Sequence, residues 1–82
     1  MRTEQEILKD FEELGNEIRW RLNSERYSNH LSIVNEDKGT LIEVYIDDKY
    51  IMFDYDNRLH YKELKLLLEL VEVWGWYNEN NN

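Results

Sequence analysis

The chain contains no cysteine, no proline and no alanine, and only three glycines in 82 residues. Without cysteine there is no disulfide framework, no thiolate metal site and no thiol redox chemistry. The glycines stand apart from one another, so no phosphate-cradling loop can be built from them. Long apolar runs are missing too. The start, Met1-Arg2-Thr3-Glu4-Gln5-Glu6, has no hydrophobic segment of the kind a secretory signal needs, and no run approaches the length of a membrane span. A cytoplasmic protein without a membrane partner is therefore expected. Positive charge is scarce: Lys and Arg number 10 against 18 Asp and Glu, a formal net charge of -8. That sign repels phosphate at long range and argues against direct binding of nucleic acid, while favouring a basic protein partner.

Aromatic side chains are plentiful, with three Trp, six Tyr and two Phe. The length allows a single domain over residues 1–77, and a domain this small buries a modest share of its surface, so a few large side chains must supply the packing. Thr3 and Glu6 form a capping-box pair ahead of Ile7, Leu8, Phe11 and Leu14 on one helical face, and Gly15 stands ready to end the helix. From Glu17 the period becomes two, with Ile18, Trp20 and Leu22 alternating with charged residues in a first strand. A polar loop, Ser24 to Asn29, precedes a second strand around Leu31 and Ile33. Asn35-Glu36-Asp37-Lys38-Gly39 makes a hairpin loop to a third strand with Ile42, Val44 and Ile46, and the Asp47-Asp48 turn leads to a fourth with Ile51, Phe53 and Tyr55.

A second helix begins near Leu59 or His60 and stops at Gly75. Leu64, Leu67, Leu68 and Val71 form its expected core stripe, and Leu66, Leu70, Val73 and Trp74 widen the apolar arc beyond what one sheet face covers, so that either the first helix or a second subunit must pack against it. Trp76 and Tyr77 read as a docked aromatic pair, and residues 78–82 as a disordered polar tail. The expected fold is thus two-layer α+β, α-β-β-β-β-α, a four-stranded antiparallel sheet with both helices on one face. That face carries Ile18, Trp20, Leu31, Ile33, Ile42, Val44, Ile51 and Phe53, and Trp20→Ala is expected to cost about 3 to 5 kcal/mol.

No residue pattern points to catalysis, a metal or a cofactor. His30 and His60 lie far apart, and His60 with Glu63 reads as the opening turn of the second helix. Asp54-Tyr55-Asp56-Asn57 resembles the start of a calcium loop, but Arg58, Leu59 and Lys65 stand where that loop needs an oxygen ligand, a glycine and a bidentate glutamate. No serine sits in a nucleophile elbow. A non-enzymatic protein is expected, and its candidate contacts are surfaces. One is acidic: Glu6, Asp10 and Glu13 along the first helix, with Asp37, Asp47 and Asp48 in the strand turns. The other is the sheet face away from the helices, with Arg19, Arg21, His30, Ser32, Val34, Leu41, Glu43, Tyr45, Tyr50 and Met52 by alternation; of these, Arg19, Arg21, Tyr45, Tyr50 and Met52 are the residue types that dominate binding interfaces.

The short acidic chain, its use of Asn, Ile, Lys, Glu and Tyr in the manner of an AT-rich genome, and the aromatic helix end Val71-Glu72-Val73-Trp74-Gly75-Trp76-Tyr77 resemble small accessory proteins of phages and mobile elements of low-GC Gram-positive bacteria, including anti-CRISPR and other anti-defence inhibitors. The resemblance implies an inhibitor or adaptor that occludes a basic nucleic-acid-handling surface, an acidic domain standing in for DNA phosphates. The alternative is a homo-oligomeric accessory module, a homodimer for example, joined through the open sheet face or the second helix.

Overall fold

A computed structural model describes residues 2–21, 29–54 and 59–78. The elements run α1 (Glu4–Glu13), β1 (Glu17–Arg21), β2 (His30–Asn35), β3 (Thr40–Tyr45), β4 (Tyr50–Asp54), α2 (Tyr61–Val73) and a closing 3-10 turn, Trp76–Asn78. The sheet is antiparallel in the order β1-β2-β3-β4, as short connections require, and both helices pack on one face of it. Leu22, most of the polar loop, the calcium-like segment from Tyr55 to Arg58 and residues 79–82 of the expected tail lie outside the described residues. Asn78, expected to open that tail, instead closes the 3-10 turn.

Both helices start on capping boxes. The Thr3 hydroxyl accepts the Glu6 N–H at 3.2 Å while the Glu6 carboxylate accepts the Thr3 N–H at 2.9 Å. His60 Nδ1 accepts the Lys62 N–H at 3.2 Å, and Glu63 Oε1 accepts the His60 N–H at 3.1 Å. Beyond α1, Gly15 takes φ +97°, a region closed to most side chains, and turns the chain into β1.

The strand register sorts the side chains into rows. Ile18, Ile33, Ile42 and Phe53 lie side by side on the helix-bearing face, and so do Trp20, Leu31, Val44 and Ile51. Leu31, Ile33, Ile42 and Val44, in the two central strands, form the core with Ile7, Leu8 and Phe11 of α1 and Leu66, Leu67 and Leu70 of α2. The two ends of these rows depart from expectation: Trp20 is 40 % exposed and Phe53 50 %. The exposure does not follow the edge strands as a whole: Ile18 of β1 and Ile51 of β4 are partly buried against the core, so the two exposed side chains stand at diagonally opposite corners of the inner face while the other two corners are covered.

The buried arc of α2 is also rotated from the expected stripe. Glu63, Leu66, Leu67, Leu70 and Val71 are buried, while Leu64 and Leu68 are 48 % and 50 % exposed. Helix α1 is the second wall that the wide arc needs: it packs along the Leu66 side and is tied there by polar contacts. Arg2 makes a two-pronged bond to Glu69 (3.1 and 3.0 Å), and Trp74 Nε1 donates to Glu4 at 2.6 Å. Leu66 and Leu70 are therefore interior, which removes them as a subunit interface. Buried Glu63 joins the layers, accepting from Asn16 Nδ2 at 3.2 Å and standing 3.9 Å from Lys38 Nζ. The docked aromatic pair is Trp74 with Trp76, ring centroids 5.7 Å apart, and not Trp76 with Tyr77, which is exposed.

Candidate functional site

The face turned away from the helices is organised by the same register. One row runs Arg21, His30, Tyr45, Tyr50, the next Arg19, Ser32, Glu43, Met52, and the third Glu17, Val34, Leu41, Asp54. In the first row the rings are stacked across three strands: His30 lies 4.2 Å from Tyr45 at 15°, and Tyr45 lies 4.7 Å from Tyr50 at 20°. Directly opposed positions on neighbouring strands bring Cβ atoms within ~5 Å, which suits parallel rings. On its inner side the stack meets Glu43. Glu43 Oε1 lies 3.0 Å from His30 Nε2 without hydrogen-bond geometry, so this buried nitrogen has no hydrogen-bond partner among the described residues, and the same oxygen accepts from the Ser32 hydroxyl at 3.5 Å. Arg19 turns to its own strand and grips Glu17 through Nε (2.7 Å) and Nη2 (3.1 Å), with Glu36 at 3.6 Å. The bond to Arg19 holds the Glu17 carboxyl below the usual carboxylate range and raises the Arg19 guanidinium.

The stack ends at an acidic turn. Tyr45 and Tyr50 are the last and first residues of β3 and β4, and between them Asp47 and Asp48 are exposed, with Asn29 Nδ2 donating to Asp47 at 3.4 Å. Lys49 closes this turn in the left-handed region (φ 61°), a position where glycine is usual and which the sequence does not mark. Tyr50 and Met52 are exposed at the β4 edge.

Of the residues singled out from the sequence, the structure brings together Tyr45, Tyr50, Met52, Asp47 and Asp48, with the position of Arg21 completing the aromatic row; the Arg21 side chain lies outside what is described. Asp37 is exposed at the opposite end of the sheet, about 20 Å away across a six-residue strand. The α1 carboxylates lie on the other layer and are partly committed. Glu6 closes the capping box, and its bonds to the Thr3 backbone and hydroxyl lower its pKa. Asp10 is paired with Arg2, whose charged form is strengthened by Glu69 and then Asp10. Glu13 is exposed, as Glu6 is, and with Asp10 it lines an open cleft of about 370 Å3 between the helices, beside Leu14, Tyr61, Lys62 and Lys65. The expected uniform acidic stripe is therefore interrupted by an arginine and a cap. His30 and Glu43, which alternation puts on this face but which were not among the candidate contacts, are the inner ring of the stack and the carboxylate beside it. Alternation alone places His30 opposite Tyr45, and that pairing was the available signal.

Among the described residues, no helix is long and apolar enough to cross a membrane, and no group of three or more His, Cys, Asp or Glu is placed to hold a metal. The chain matches no protein-family model, and no curated protein or solved structure is significantly similar to it.

Proposed function

We propose that this is a non-enzymatic protein-binding adaptor or inhibitor of the cytoplasm that recognises an arginine-rich surface of a nucleic-acid-handling protein through the open sheet face. The observation that carries this reading is the His30–Tyr45–Tyr50 stack ending at the exposed Asp47–Asp48 turn. An arginine guanidinium stacks on an aromatic face and at the same time donates hydrogen bonds to a carboxylate along its edge, so an exposed tyrosine next to two adjacent aspartates offers both halves of its recognition. Net charge adds long-range attraction to a basic partner and repulsion from DNA or RNA. A phage anti-defence role is the biological setting in which such occlusion of a basic channel would act.

An arginine-rich peptide serves as the test ligand, followed by backbone amide NMR shifts. Perturbations centred on Tyr45, Asp47, Asp48 and Tyr50 are expected, weakening steeply with added salt because screening suppresses attraction between opposite charges. Asp47→Asn with Asp48→Asn, and separately Tyr50→Ala, should each lower affinity by roughly tenfold, about 1.4 kcal/mol. Shifts confined to α1 around Glu13, or tighter binding to single-stranded DNA than to the peptide, would overturn the reading.

A further inference from the structure

The two edges of the sheet differ in kind. Strand β1 carries Glu17, Arg19 and Arg21, the charged residues that keep an edge from pairing with another chain, whereas Tyr50 to Phe53 of β4 carry no charge at all. Both side-chain rows of β4 are also open: Met52 on the uncovered face is 47 % exposed, and Phe53 remains half exposed on the helix-bearing face. At ~100° per residue, Leu64 and Leu68 project from the flank of α2 opposite Leu66 and Glu69, the side that α1 occupies. Since α1 lies toward β1, that flank faces the β4 side of the molecule. Of the eight large apolar side chains exposed among the described residues, three, Tyr50, Met52 and Phe53, belong to this one edge strand, and Leu64 and Leu68 lie on the α2 flank that faces the same side.

We infer that β4 pairs with β4 of a second copy of this chain, forming a two-fold homodimer with a continuous eight-stranded sheet. The occupant is fixed by self-complementarity. A two-fold axis at Met52 sets Met52 against Met52 of the second copy, Ile51 against Phe53, and Tyr50 against Asp54, so that apolar positions meet apolar positions and the single charged position in the strand meets a tyrosine. The backbone donors and acceptors along the outer side of β4 gain partners in the same step. Leu64 and Leu68 of each copy then cover the added strand, which gives the half-exposed Phe53 the shelter that its own helices do not reach. This contact goes beyond recognition of a basic partner, and its electrostatics have the opposite sign: two copies of charge -8 repel, so salt strengthens the dimer while weakening the complex with an arginine-rich ligand.

Sedimentation equilibrium of the full chain in moderate salt decides the matter. A monomer–dimer equilibrium that tightens with salt is expected. Met52→Lys and Met52→Glu each place like charges opposite one another across the axis and should each weaken association by about tenfold or more, with circular dichroism unchanged because the side chain is exposed; mixing the two variants should restore a dimer, now a mixed one, by pairing Lys with Glu. A wild-type chain that stays monomeric to about 0.5 mM, dimers that survive both substitutions, or a mixture that stays monomeric would each overturn the proposal.

Discussion

Phe11 and Trp20 are both large aromatics on the inner side of the fold, yet their energetic roles differ because one sits under the centre of the sheet and the other at its margin. Phe11 is fully buried among α1, α2 and the central strands, whereas Trp20 points to the correct face from an edge strand and keeps 40 % of its surface in water. Removing a fully buried aromatic loses its transfer energy and leaves a cavity; removing a marginal one leaves a notch that solvent fills. Phe11→Ala should therefore cost about 3 to 5 kcal/mol and Trp20→Ala about 1 to 2 kcal/mol in denaturant midpoints. Equal losses at the two sites would mean that Trp20 is covered in solution.

At the scale of the element, the charges of α1 act first on the helix itself. Glu6 accepts the Thr3 N–H and hydroxyl, and these bonds favour its ionised form and lower its folded-state pKa. A carboxylate whose pKa is lower folded than unfolded contributes stability above its unfolded value, and that contribution disappears as pH falls through the folded value. Glutamine can close the same capping box without the charge. The stability difference between wild type and Glu6→Gln should thus be largest near neutral pH and shrink as pH is lowered through about 4 and below, read from urea midpoints across that range. A difference that does not change with pH would show that the ionised carboxylate contributes nothing the amide lacks. The same bonds mean that reversing Glu6, Asp10 and Glu13 to lysine removes a cap and the Arg2 pairing, so that the triple variant tests α1 stability together with surface charge.

For the whole molecule, Glu63 is the residue that ties the layers together. From the first turn of α2 it accepts the His60 N–H and the Asn16 amide and faces Lys38 in the β2–β3 turn, linking both helices to one end of the sheet. A buried carboxylate held by donors is expensive to remove, because the donors lose their partner without regaining water. Glu63→Ala should cost about 1 to 3 kcal/mol, with hydrogen exchange accelerating at both Asn16 and the start of α2. Faster exchange at α2 alone would indicate a simple loss of its cap. The other molecular-scale property is charge. Net charge acts alike on every approaching body, but the partners differ in sign, so salt separates attraction to a basic ligand from repulsion between copies.

The element order, the Thr3–Glu6 capping box, the opening turn of α2 at His60 and Glu63, the Gly15 and Gly39 turns and the pairing of Ile42 with Phe53 and Val44 with Ile51 were legible in the sequence, because capping and alternation are set by residues a few positions apart. The face of each strand was legible for the same reason, and with it the row that holds Tyr45 and Tyr50. How deeply a side chain is buried was not. Trp20, Phe53, Leu64 and Leu68 carry the hydrophobic signal of core residues, and only the way the helices are set on the sheet, covering Ile18 and Ile51 but not the opposite corners and turning α2 onto Glu63, Leu66, Leu67 and Leu70, leaves them exposed. Likewise, an acidic pattern shows where carboxylates lie along a helix, but Arg2, distant from Glu69 in sequence, decides which of them remain available. Local chemistry fixed the elements and their faces; the way the helix layer is set on the sheet, and the contacts that join the two, decided which parts of those faces meet solvent or a partner, because these depend on residues distant in sequence.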